Sequence, residues 1–92
     1  MIKSFKHKGL QLFFTKNDRR LLDIKDVPKI TRILDRLDTA SIAEDMNIPG
    51  WDFHSLKGNK KGIWSVAVRK NWKITFYFEN ENAYDVNLED YH

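Results

Sequence analysis

The sequence predicts an α+β fold: a short N-terminal strand, two helices, and then an antiparallel meander sheet, all in one domain over residues 1–92. Three observations carry this. In two stretches before Gly50, apolar residues recur every three to four positions, the period of a helix that buries one face. After Gly50 they recur at every second position, the period of a strand. Helices first and strands after, with short turn signals between the strands, is the order of helices packed on one face of a sheet.

The elements follow in order. Ile2 to Phe5 reads as a short strand. Lys8 to Lys16 carries Leu10, Phe13 and Phe14 at i, i+3, i+4, an amphipathic helix, and Asn17-Asp18 breaks it. Asp26 suits the N-cap of a second helix, with Pro28 tolerated in its first turn. Val27, Ile30, Leu34 and Leu37 form the core stripe of that helix. Ser41-Ile42-Ala43-Glu44 resembles a capping box opening one helical turn, and Pro49-Gly50 ends the segment. Trp51 to Leu56 and Ile63 to Arg69 read as strands flanking a turn-rich loop, Lys57 to Gly62. Lys70-Asn71 is a tight turn. Trp72, Ile74, Phe76 and Phe78 then alternate with Lys73, Thr75 and Tyr77, the strongest strand signal in the chain. Glu79 to Asn82 is a hairpin turn, and Tyr84, Val86 and Leu88 alternate in a last strand.

The composition narrows the function. With 92 residues the chain has room for one core, and its 41% hydrophobic residues suffice to fill it. No apolar run approaches the roughly 20 residues that span a bilayer, and the basic N-terminus lacks the apolar stretch of a secretory signal. Zero cysteines exclude a disulfide framework and suit a reducing cytoplasm. The net charge of +3 permits a polyanionic partner. From Lys57 to Lys73 there are six Lys or Arg and no Asp or Glu. This is a lysine-protected sheet edge or a phosphate-binding surface, with neither favoured by charge alone.

The chemistry-bearing residues are few. If Trp72, Ile74, Phe76 and Phe78 face the helices, Lys73, Thr75 and Tyr77 face a concave open surface. His54 stands in a strand with Lys57 three residues on. The chain ends on Asp90-Tyr91-His92, where strict alternation puts Tyr91 opposite to Asp90 and His92. Ser55 and Ser65 lack a nucleophile-elbow context, and no dense metal-ligand motif is present. Cleavage of RNA by its own 2′-hydroxyl fits this set best. It needs a base, an acid and cations for the phosphorane, and neither a metal nor a protein nucleophile. Exposed aromatics can stack on bases.

Five segments, in order, resemble the HigB toxins of the RelE/ParE superfamily of bacterial type II toxin–antitoxin systems. They are Ile2 to Leu10, His54 to Gly58, Gly62 to Val66, Asn71 to Phe76, and Glu89 to His92; residues 16–47 carry less of the likeness. The resemblance implies a RelE-like α+β fold and a cytoplasmic toxin that cleaves mRNA in the ribosomal A site without a cofactor or metal. It implies neutralisation by a HigA-like helix-turn-helix antitoxin. By motif match it implies His54, Lys57, Asp90, Tyr91 and His92 as catalytic, and Lys60, Lys61, Asn71 and Lys73 are added as RNA-binding candidates. One position departs from the family pattern. Arg usually follows the Asn-Trp pair, where this chain has Lys73, a point charge in place of a planar fork. Two rivals are a ParE-like poison of DNA gyrase, which needs no acid/base set, and a weakly catalytic module that only engages an antitoxin.

Overall fold

The computed structural model describes residues 1–58 and 62–91. The candidates Lys60, Lys61 and His92 lie outside the described residues. The order of elements is α1 (Lys8–Lys16), α2 (Val27–Thr39), a 3-10 turn (Ala43–Met46), β1 (His54–Ser55), β2 (Ile63–Arg69), β3 (Trp72–Glu79) and β4 (Asn82–Asp90). The strands form one antiparallel sheet in the order β1-β2-β3-β4. The expected N-terminal strand is reduced to two parallel bridges, Ile2 to Ala83 and Phe5 to Val86, along the outer edge of β4.

Helix α1 starts at His7, whose Nδ1 accepts the N–H of Leu10 at 3.1 Å. Burial lowers the His7 pKa below its usual 6.5 and favours the neutral ring, the form that can accept this bond. A Cβ on Gly9 would stand 2.8 Å from a carbon of the same ring, so only glycine lets the cap close. Asn17, at φ 53°, ends the helix in the left-handed region.

In α2 the buried stripe is Val27, Ile30, Ile33, Leu34 and Leu37. Ile33 widens the predicted stripe by one position. Asp26 holds the N-cap position, yet its side chain does not cap. The carboxylate instead accepts Arg69 Nε of β2 at 2.6 Å, and Arg69 also reaches Asp23 at 3.3 Å. A charge-assisted bond outweighs a cap to a neutral amide. In the next turn, the residue bonding back is Asp45 and not Glu44: its carboxylate takes the N–H groups of Ser41 and Ile42.

The core lies between the helices and one face of the sheet. Leu10, Ile30, Ile33, Leu37, Met46, Val66, Ile74, Phe76, Ala83 and Val86 have no exposed surface. Burying a side chain of this kind contributes about 1.5–3 kcal/mol. The predicted inward face of β3 is the observed one: Ile74 and Phe76 are buried, with Trp72 and Phe78 packed against the cluster. In β4 the alternation breaks. Thr75 pairs with Asn87 but Tyr77 pairs with Tyr84, so β4 carries an extra residue here, with Asp85 at φ 54°. Ala83, rather than the expected Tyr84, therefore joins Val86 in the core.

Candidate active site

Of the described candidates, His54, Lys73 and Tyr91 lie on the face of the sheet turned away from the helices, with Asn71 and Asp90 at one end of it. Register defines the arrangement. Lys73 on β3 stands between Ala67 on β2 and Glu89 on β4. Two residues along, Thr75 stands between Ser65 and Asn87, and Ser65 pairs in turn with His54 on β1. Directly paired residues share a face, so His54 and Lys73 share the open one.

Strand β1 is shorter than the sequence suggests, His54–Ser55 in place of Trp51 to Leu56. Backbone conformation is the reason: Gly50 and Asp52 have φ of 87° and 49°, far from the extended values of regular strand pairing. The segment Gly50–Phe53 is a strap. The Trp51 carbonyl accepts the Ala67 N–H at 2.7 Å, and Phe53 stacks on Trp64 with ring centroids 4.9 Å apart. From α2, Lys29 Nζ donates to the Gly50 carbonyl at 3.3 Å. Burial, together with the nearby charges of Arg32 and Lys73, lowers the Lys29 pKa.

Asp52 ties two candidates together. Its carboxylate lies 3.5 Å from Lys73 Nζ, and its backbone carbonyl lies 2.8 Å from His54 Nδ1. A carbonyl oxygen only accepts, so Nδ1 carries the proton. Neutral His54 therefore keeps its lone pair on Nε2 while its ring is exposed. The Lys73 side chain is only 17% exposed, although its ammonium reaches the surface at Asp52. Asp52 was not among the sequence candidates; its one signal is an Asp after Gly-Trp, a residue type that tolerates the left-handed region.

At the other side of Lys73, Trp72 pairs with Asp90, and the Tyr91 N–H donates to the Asn71 carbonyl at 2.7 Å. Asn71, Lys73, Asp90 and Tyr91 are thus gathered at one sheet end. Alternation from Glu89 turns Tyr91 to the open face and Asp90 to the rim on the helix side. Lys57 is not gathered with them. It follows Leu56, whose N–H bonds to the Ile63 carbonyl opposite Tyr77, four residues along the sheet from Lys73 and roughly 13 Å away by strand rise. His54 and Tyr91 stand on opposite edges, three strand steps or roughly 14 Å apart across the sheet and four residues or roughly 13 Å apart along it. They flank Lys73 without touching, with room for a nucleotide between them. Among the described residues no three His, Asp or Glu side chains converge as a metal-ligand set, and no helix is long and apolar enough to cross a membrane.

Residues 3–92 match the family described as the RelE-like toxin of the type II toxin–antitoxin system HigB. The chain is 48% identical over 92 residues to the endoribonuclease HigB of Proteus vulgaris, covering 100% of both chains. It is 33% identical over 91 residues to toxin HigB-1 of Vibrio cholerae serotype O1, covering 97% of this chain and 96% of the other. Among solved structures it is similar to YafQ from E. coli strain BL21(DE3), with a TM-score of 0.59 at 14% identity over 98% of this chain and 91% of that one. That likeness speaks to fold: two helices before an antiparallel sheet.

Proposed function

The chain belongs to the HigB family of RelE-like toxins in type II toxin–antitoxin systems, and we propose that it is a ribosome-dependent endoribonuclease that cleaves mRNA by 2′-hydroxyl attack. The observation that carries this reading is Lys73, set between an imidazole on one edge of the open face and the Asp90–Tyr91 segment on the other. A strand of RNA laid across that face brings one phosphate against the ammonium and offers its flanking oxygens to the two edges. His54 takes the 2′-hydroxyl proton at Nε2, and its Nδ1–H bond to the Asp52 carbonyl stabilises the imidazolium that forms. The 2′-oxygen attacks phosphorus, Lys73 offsets the added negative charge, and the bond to the 5′-oxygen breaks; Lys57, farther along the sheet, meets a neighbouring phosphate of the strand. His92 donates the proton to that oxygen; Asp90 orients the imidazole, and Tyr91 positions the phosphate or stacks on a base. The products are a 2′,3′-cyclic phosphate and a 5′-hydroxyl. Asn71, Lys60 and Lys61 contact the RNA.

A type II toxin has an antitoxin partner, here a HigA-like protein with a helix-turn-helix domain. The place of action is the ribosomal A site in the cytoplasm. With a net charge of only +3, the free protein holds RNA weakly, and the ribosome presents the splayed strand. The test is single-turnover cleavage of mRNA on programmed ribosomes, with a chelator present and polyamine holding the subunits together. The expected result is cleavage with cyclic-phosphate ends and little turnover of naked RNA. Deleting His92 should lower the rate by roughly 10²–10⁴-fold. Equal cleavage of naked and ribosome-bound RNA, or cleavage restored only by one divalent ion, would overturn the reading.

A further inference from the structure

On the outer side of α2, away from the open face of the sheet, lies a groove of about 470 Å³. Arg32, Asp35, Arg36 and Thr39 line it from the helix, and Ile48 and Trp51 line it from the chain that leads into the strap. The four helix residues fall outside the buried stripe of α2. The two apolar residues are held in place by their own backbone: the Ile48 N–H donates to the Met46 carbonyl at 2.9 Å, and the Trp51 N–H to the Ile48 carbonyl at 3.0 Å. Arg36 Nε donates to the Asp45 carbonyl and fixes the wall between the helix and the 3-10 turn. The groove is therefore formed before anything enters it.

Its charge is one-sided. Lys29, Arg32 and Arg36 follow one ridge of α2 at i, i+3, i+7, and Asp35 is the single carboxylate among the lining residues. Lys29 is engaged by the Gly50 carbonyl. The Asp45 carboxylate, beyond Arg36, is occupied by the N–H groups of Ser41 and Ile42. Arg32 is exposed and makes no hydrogen bond or ion pair among the described residues. Its planar fork of donors matches a carboxylate or a phosphate. The floor decides between the two. Trp51 is only 9% exposed, so its ring has no open face on which a base could stack, and Asp35 repels a phosphate. An acidic protein segment meets every feature of the groove, and a type II toxin has a protein partner, its antitoxin. Resting on that partner and not on the ribonuclease chemistry, we infer that the groove docks an acidic, amphipathic segment of the antitoxin. One apolar side chain sits over Ile48 and Trp51, and a carboxylate pairs with Arg32. A hollow of this volume takes one or two side chains, the scale of a central anchor within a larger interface.

The test is calorimetric titration of the cognate antitoxin, purified on its own, into the full chain and its variants, each checked for fold by circular dichroism. Arg32→Glu should weaken binding by on the order of tenfold or more. Asp35→Asn removes the carboxylate that opposes an acidic segment and should tighten binding, a gain that no folding defect imitates. Lys3→Glu makes the same change of charge on an exposed residue beside the outer edge of β4 and should bind as wild type does. Equal losses in Arg32→Glu and Lys3→Glu would reduce the effect to net charge and overturn the docking site. Wild-type binding by Arg32→Glu would also overturn it, and slower cleavage of ribosome-bound mRNA by that variant would then assign the groove to RNA. Binding that follows the expected order in a chain that cleaves no RNA supports the docking site and sinks the ribonuclease reading instead.

Discussion

Strands β4 and β1 close the two edges of one sheet, and they are held by opposite means. β4 has nine residues and is paired on both sides, by β3 and by the N-terminal segment. Four backbone hydrogen bonds tie residues 1–6 to Ala83 and Val86 at 3.1 Å or less, and the Ser4 hydroxyl takes the Asp85 N–H freed by the bulge. β1 has two residues and one partner strand, and it is positioned by the strap before it. The candidate chemistry is divided between the two: Asp90 and Tyr91 ride on the well-bound edge, His54 on the lightly bound one. Support and catalysis should therefore separate experimentally, with lesions at the outer border of β4 read as lost stability and lesions at β1 as lost rate.

The largest effect should come from stripping the border of β4. Deleting residues 1–5 removes most of those bonds and the packing of Ile2 and Phe5. At about 1 kcal/mol per bond before the apolar loss, the cost is on the order of 5 kcal/mol. That is a large part of the total stability of a small domain. Denaturant unfolding should show it, together with aggregation from the exposed edge. A truncated chain as stable as wild type would erase the contrast.

At the other edge, His54→Ala should leave the unfolding midpoint within about 0.5 kcal/mol of wild type, since the ring is exposed. Single-turnover cleavage should fall by roughly 10²–10⁴-fold. A stability loss matching the rate loss would make His54 a structural residue. Between the edges, Lys73→Ala should raise the barrier by on the order of 3 kcal/mol. Asp52→Asn tolerates the same backbone conformation and removes only the charge facing Lys73; the Asp52 carboxylate is largely exposed, so its cost should be about 0–1 kcal/mol. Equal losses in the two variants would assign the work to the ion pair as a unit.

The smallest effect concerns His7 beside the N-terminal border. Its folded pKa lies below 6.5, so between the two values the unfolded chain binds more protons than the fold. Stability then rises with pH through that window. The contribution is complete above the unfolded value and lost as pH falls through the folded one. Thermal unfolding across pH 5–8 should show this slope. His7→Asn, which caps without titrating, should flatten it; an unchanged slope would place the titration elsewhere.

Most of the fold was legible because its core residues obey simple periods. β2 was expected at its observed bounds, Ile63–Arg69, and the inward face of β3 was correct. The departures arise where backbone geometry or long-range charge outweighs pattern. Asp52 in the left-handed region cuts β1 short, and the bulge at Asp85 exchanges Tyr84 for Ala83 in the core. Asp26 gives up its cap for an arginine 43 residues away. The same limits apply to the site. Alternation puts Lys73 on the open face, but only register relates it to Asn71 and Tyr91, and only the strap brings in Asp52. Lys57, three residues from His54 in sequence, is carried away from Lys73 by the course of β1.

The bond from Ser4 to Asp85 spans 81 residues, and this has a consequence for how the protein is made. Residues 1–6 cannot pair until β4 has followed them out of a ribosome, and a contact closing so long a loop forms late. The border of β4 is therefore expected to close late, and the candidate groups Asp90 and Tyr91 are carried at the end of that same strand. A protein proposed to cut messages on ribosomes would remain inert on the ribosome that builds it until release, an interval in which an antitoxin can reach it first.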